Sequence, residues 1–149
     1  MQGVTLLETL IAFFVLSGGM LGLAFMQAQA IKLNTESYVR TQATILAYDL
    51  IDRIKLNNIN IASYTLDKVN FDSTLSCDPG ISDAVNDLGC WQKLVALKLP
   101  QGQASVAIDT PVASSHTLTL FWVERLTRAD PNDASAQGEE RSQSWSFVL

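Results

Sequence analysis

Gly3-Val4-Thr5-Leu6-Leu7-Glu8 opens a run that carries no charged side chain from Thr9 to Ile31, and the reading of that run decides the architecture. As a helix rising 1.5 Å per residue it would be about 35 Å long, enough to cross a hydrocarbon core of about 30 Å. Glu8 is the anomaly. A lone carboxylate in an otherwise apolar helix costs about 2.5–3.5 kcal/mol at a membrane centre and less near an end, so anchoring alone gives no reason to keep it. Three readings compete. A cleaved secretory signal wants a basic n-region, a short apolar core and an A-x-A-like cleavage site, and none of these is present. A plain signal anchor accounts for the run and leaves Glu8 without a partner. The third reading uses both Gly3 and Glu8: a cut after Gly3 turns Val4 into a cationic α-amine one helical turn from the carboxylate, a pair that is self-complementary between copies.

Gly3-Val4-Thr5-Leu6-Leu7-Glu8 resembles the cleavage motif of type IV pilins and of type II secretion pseudopilins. The resemblance implies that an inner-membrane prepilin peptidase cuts after Gly3 and methylates the new amine of Val4. It also implies that Glu8 pairs with the N-terminus of a neighbouring subunit during assembly. The family more often has Phe or Met where this chain has Val4. Its leaders usually carry Lys or Arg, which Met1-Gln2 lacks, and a leader beginning further upstream is the expectation.

With 149 residues, the first third or so of them stem, about 95 remain, enough for one small domain. The net charge of −5 argues against a phosphate-binding surface, because non-specific nucleic-acid affinity comes from clustered Lys and Arg. A DNA-uptake role is disfavoured on that ground. Cys77 and Cys90 are close enough in sequence to close a short loop, which an oxidising compartment favours; a bridge there is worth about 3 kcal/mol in the chain-entropy model. The alternative is a pair of buried thiols. The positive-inside bias, read alone, places Lys32 and Arg40 in the cytoplasm. The cysteine pair and the family resemblance argue for the opposite side, and that orientation is the expectation here.

Along the stem, Gly18-Gly19 and Gly22 mark the place for bending or local unwinding, since glycine costs up to about 1 kcal/mol against alanine inside a helix. The other reading is close helix packing through the G-x-x-x-G spacing of Gly18 and Gly22. From Gln27 the pattern becomes amphipathic: Val39, Ala43, Leu46, Leu50 and Ile54 follow helical spacing, widened by Ala47 and Ile51, with Arg40, Gln42, Asp49 and Arg53 opposite. One continuous helix from about Val4 to about Lys55 is predicted, ended by Asn57-Asn58. The segment Ala47 to Asn57 resembles the end of that helix in the V-type minor pilins, with Arg53 and Asn57 the points of closest match. In that light they are partner contacts. The plainer reading is a solvated helix end, a cation against the dipole and an Asn at the cap.

Asn58 to Ser82 lacks periodicity and reads as a loop with room for one short strand. Asp83 or Asn86 then caps a short helix with Leu88, Trp91, Leu94 and Val95 on one face, up to the turn at Pro100-Gln101-Gly102. Asp87-Leu88, Trp91, Leu94, Leu99-Pro100 and Gly102 again resemble the V-type pattern. Three strands follow, Ala104 to Asp109, Thr117 to Arg125 and Gln143 to Leu149. Val106, Ile108, Leu118, Leu120 and Trp122 face the helix, Trp145 and Phe147 share one face of the last strand, and Phe121 and Val123 point outward, where a loop or a neighbouring subunit would cover them. Thr127 to Ser142, with Asp130-Pro131-Asn132-Asp133 and Gly138, is predicted to be an exposed loop.

A search for chemistry is nearly empty. His116 has no second His and no free Cys at metal-ligand spacing and reads as solvated at a strand edge; no metal or cofactor is expected. There is no G-x-S-x-G elbow, phosphate loop or Cys-His pair, and Asp49 with Asp52 beside Arg53 reads as a surface charge cluster. The expectation is a structural subunit and no enzyme, of α+β class: a long N-terminal helix packed on a small antiparallel sheet. The resemblance divides it into a leader remnant (1–3), a transmembrane and fibre-core half-helix (4–31) and one periplasmic globular domain (32–149). It implies partners in the prepilin peptidase, the major pilin and other minor pilins, with passage from the inner membrane to a pilus at the cell surface. No nucleic-acid partner is expected. The nearest rival is the I-type minor pseudopilin of type II secretion; a rival of another class is an adhesin or receptor-binding module using the loop from Thr127 to Ser142.

Overall fold

A computed structural model describes residues 2–78, 80, 81, 83–108, 115–124 and 138–149, with nothing of the side chains of residues 2–4. The apolar run and the amphipathic segment after it form one unbroken helix, α1, over Gln2–Leu56. The chain divides into two compact units, 1–38 and 39–149.

In the first unit the apolar side chains are exposed on all faces, and the helix is long and apolar enough to cross a membrane. Three of its hydroxyls, on Thr9, Ser17 and Thr35, donate to carbonyls of the preceding turn. Thr9 Oγ1 donates to the Thr5 carbonyl at 2.7 Å, and Ser17 Oγ to that of Phe14 at 2.9 Å. Such back-bonding is how a polar side chain is tolerated where water is absent. The helix continues through Gly18, Gly19 and Gly22, so the local unwinding expected there does not occur. Carbon added at any of the three would meet nothing within 4 Å, which leaves this surface open.

In the second unit α1 buries a stripe of Ala43, Leu46, Ala47, Leu50, Ile51 and Ile54. The helix stops where Asn57 N–H reaches back to the Arg53 and Ile54 carbonyls, at 3.0 and 3.2 Å. A 3-10 turn over Asn58–Tyr64 follows, then strand β1, Leu66–Asn70. The second helix, α2, spans Ala84–Lys98, and its N-cap is Asp83, whose side chain accepts from Asn86 N. Three further strands, β2 (Gln103–Ala107), β3 (His116–Glu124) and β4 (Glu139–Phe147), complete a four-stranded antiparallel sheet in the order β1-β2-β3-β4. The expected α+β class, a long N-terminal helix with a small antiparallel sheet, is therefore the one observed.

The core joins the α1 stripe to Leu88, Trp91 and Val95 of α2 and to Ala104, Val106, Leu118, Leu120 and Trp122 of the sheet. Trp91 is its centre: it is fully buried, its indole N–H donates to the Leu46 carbonyl at 2.8 Å, and Phe71 meets it edge-on at 6.2 Å. Leu94, expected on the same face, is 36% exposed. At 100° per residue it lies well to one side of the Ala84, Leu88, Trp91 and Val95 line.

Two further expectations are corrected. The last strand starts at Glu139, four residues before Gln143, because β4 pairs with β3 along its whole length, from Glu124↔Glu139 to His116↔Phe147. β4 is an edge strand and mostly exposed, so burial left no alternation to read there. The loop expected from Thr127 is thus shorter at its C-terminal end, and residues 125–137, including Asp130 to Asp133, lie outside the described residues. His116 is the other correction: it is buried, 5.4 Å from the Phe147 ring. It shares the even-numbered phase of Leu118, Leu120 and Trp122, and that parity turns it inward. On the outer face, Phe121 is covered from within the sheet, by the Lys68 ammonium 4.2 Å above its ring; Lys68 also pairs with Glu140.

Candidate functional site

Glu8 lies exposed on α1, four residues beyond Val4. Residues four apart in a helix share one face, so position 4 and Glu8 lie on the same side of α1. The backbone of Gly3 and Val4 is helical, and nothing is described of the Val4 side chain.

The other residues singled out by sequence come together at the C-terminal end of α1. Asp49 and Arg53 are one turn apart, and Arg53 Nε donates to Asp49 Oδ2 at 3.1 Å. Arg53 Nη1 reaches across to Asp87 Oδ1 in the first turn of α2. The second oxygen of Asp87 accepts the Tyr64 hydroxyl at 2.9 Å, and that hydroxyl accepts from Asn57 Nδ2 at 3.3 Å. Asn60 Nδ2 donates to Asn57 Oδ1 at 2.9 Å. One carboxylate therefore ties together the end of α1, the 3-10 turn and the start of α2. Arg53 stands in the last turn of α1 and Asn57 just past its end, as the plainer reading has them, and both are in addition hydrogen-bonded to other side chains of the chain.

The electrostatics follow from this arrangement. Burial opposes the charge on Arg53, but the hydrogen bonds and charges of Asp49 and Asp87 outweigh it and hold the guanidinium above its ordinary value. Burial raises the Tyr64 phenol most; the Asn57 hydrogen bond opposes it, the hydrogen bond and charge of Asp87 add to it, the Arg53 charge opposes it least, and the net direction is upward. The network keeps one member cationic and another protonated.

Cys77 and Cys90 are bonded, with Cα atoms 4.8 Å apart, which excludes the pair of buried thiols. The bridge ties the segment before α2 to the helix itself. Asn86 braces the same segment: its Nδ2 donates to the Asp78 and Ile81 carbonyls, both at 2.7 Å, and its Oδ1 accepts from Asp78 N at 3.1 Å. Between this braced wall and the end of α1 lies an open cleft of about 740 Å³, lined by Arg53, Leu56, Asn57, Tyr64, Asp87 and the disulfide among others.

Sequence reasoning missed the roles of Tyr64 and Asn86. Tyr64 falls in the aperiodic stretch after α1, and the one available signal was an aromatic ring with a polar tip in a polar segment, a type that finds a partner when buried. Asn86 was visible only as an alternative cap. Among the described residues no group of three or more His, Cys, Asp or Glu is placed to hold a metal ion. Comparison of the chain with family models, with curated proteins and with solved structures found no match.

Proposed function

We propose that this chain is a minor pilin: a peptidase-processed, membrane-inserted structural subunit, and no enzyme, that helps to prime type IV pilus assembly in a complex with other minor pilins and the major pilin. The observation that carries the reading is α1, one helix whose exposed apolar half interrupts its neutrality only at Glu8, five residues beyond a glycine suited to cleavage. In this reading the domain is periplasmic before the subunit enters the fibre. An amine at Val4 and a carboxylate at Glu8 are costly in lipid and satisfy one another between subunits. Burial of the pair is then tolerable only at one stagger, which gives register more than net affinity.

Intact mass spectrometry of the protein recovered from membranes, with and without the prepilin peptidase, tests this. The expected result is loss of everything through Gly3 together with one methyl group on Val4, in peptidase-positive cells only. An uncut N-terminus in cells with active peptidase overturns the reading.

A further inference from the structure

The cleft beside Asp87 has a chemical character of its own. Among the described residues, Asp78, Asp83 and Asp87 line it against one cation, Arg53, an excess of two negative charges. Arg53 is already paired twice, with Asp49 and Asp87. Asp78 and Asp83 each use one oxygen, Asp78 Oδ1 accepting from Gly80 N at 2.9 Å and Asp83 Oδ1 from Asn86 N at 2.6 Å. Among the described residues their second oxygens take no hydrogen bond, and both side chains are exposed.

Apolar surface meets this charge at the same place. Leu56 and Ile81 line the cleft, 90% and 50% exposed, and Ile59, next to the lining residue Asn60, is 93% exposed. Leu56 and Ile59 are the most exposed large apolar side chains among the described residues of the unit 39–149. The lining is mainly polar and charged with apolar patches at Leu56 and Ile81, a mixture that suits a ligand carrying both a charge and an apolar group. The disulfide and the Asn86 bonds fix one wall before any ligand arrives, which lowers the ordering cost of binding.

We infer that this cleft is a docking site for an extended segment of a partner subunit that presents a lysine or arginine next to an apolar side chain. The cation sits between Asp78 and Asp83, and the apolar neighbour covers Leu56. Asn57 and Asn60, which can both donate and accept, suit the backbone of such a segment. The nature of the partner rests on the assembly reading above; the cationic and apolar specificity rests on the cleft alone.

The test uses full-length, isotope-labelled protein in a neutral detergent and three acetylated, amidated hexapeptides built around Leu-Arg-Leu, Leu-Glu-Leu or Ser-Arg-Ser. The Leu-Arg-Leu peptide is expected to shift amide resonances of residues 56–60 and 77–87, and the other two to bind at least fivefold more weakly. Asp78→Asn with Asp83→Asn removes both charges while keeping an N-cap side chain, because Asn caps as well as Asp. It should weaken Leu-Arg-Leu binding about tenfold, the effect of losing two exposed charge pairs. Shifts outside the cleft only, equal binding of the Leu-Glu-Leu peptide, or no loss in the double variant would each overturn the inference. A protein that is cleaved after Gly3 but ignores the peptides sinks this proposal alone. One that binds them yet is never cleaved sinks the pilus reading alone.

Discussion

At the scale of single residues, Asp87 is the side chain on which the helix end depends. Its two oxygens hold a guanidinium and a phenol, so Asp87→Ala leaves the O–H of the fully buried Tyr64 without its acceptor, while the Asn57 bond to its oxygen remains. An orphaned buried donor costs about 1–3 kcal/mol, and a loss in that range in chemical denaturation is expected. The Arg53–Asp87 pair alone carries less, since both side chains are more than a quarter exposed; a double-mutant cycle should give a coupling of about 0.5–1 kcal/mol. The phenol also sets a pH dependence. An unfolded tyrosine titrates near 10 and Tyr64 in the fold higher, so above that pH the folded state keeps a proton the unfolded chain has released. Its contribution is intact below about pH 10 and is lost as pH rises through the folded value. Urea midpoints between pH 8 and 11 should fall more steeply for the native chain than for Tyr64→Phe; parallel slopes would remove Tyr64 from the account.

At the scale of elements, legibility followed periodicity. The buried stripe of α1 and the inward phase of Leu118, Leu120 and Trp122 were readable because a core repeats at the period of its element, and the cap of α2 was narrowed to Asp83 or Asn86 by residue type. β1 and β4 were read poorly for the converse reason. Each is an edge strand with mostly exposed side chains, defined by ladder bonds to one neighbour and not by burial. The Asp87 network was legible only in part, because contacts such as Tyr64 to Asp87 join residues of no common period. Two connections between elements give predictions. Gly102 follows Gln101, whose φ is +50°, and a Cβ at Gly102 would lie 2.8 Å from the Val95 carbonyl oxygen. Backbone cannot yield there as a flexible side chain would, so Gly102→Ala should cost about 1–3 kcal/mol, read as a lowered thermal midpoint. Replacing Cys77 and Cys90 with serine should cost about 3 kcal/mol, visible as a urea midpoint matching that of the reduced native protein. If the serine variant were as stable as the oxidised protein, the Asn86 bonds alone would hold the wall of the cleft.

At the scale of the whole molecule, the chain combines an apolar helical segment in the unit 1–38 that lipid can accept with a unit, 39–149, that has a core of its own. Among the described residues, the core cluster takes nothing from before Val39, while the large apolar side chains of the first unit are exposed. Exposure of that extent is stable only in a membrane or against other apolar helices. A bilayer accounts for the apolar side chains but not for Glu8, whose ionised form it penalises. In the proposed assembly reading both have a place. Glu8→Gln separates the two roles, because it removes the charge at almost unchanged volume and leaves the helix able to insert. In the pilus reading the variant should stay membrane-bound and be cut after Gly3 at the native rate, yet fail to co-purify with other subunits in sheared fibres. Normal incorporation of the variant would mean that Glu8 sets no register. The stagger between stems would then have to come from the close-packing surface at Gly18 and Gly22, and Gly18→Leu would become the substitution that abolishes assembly.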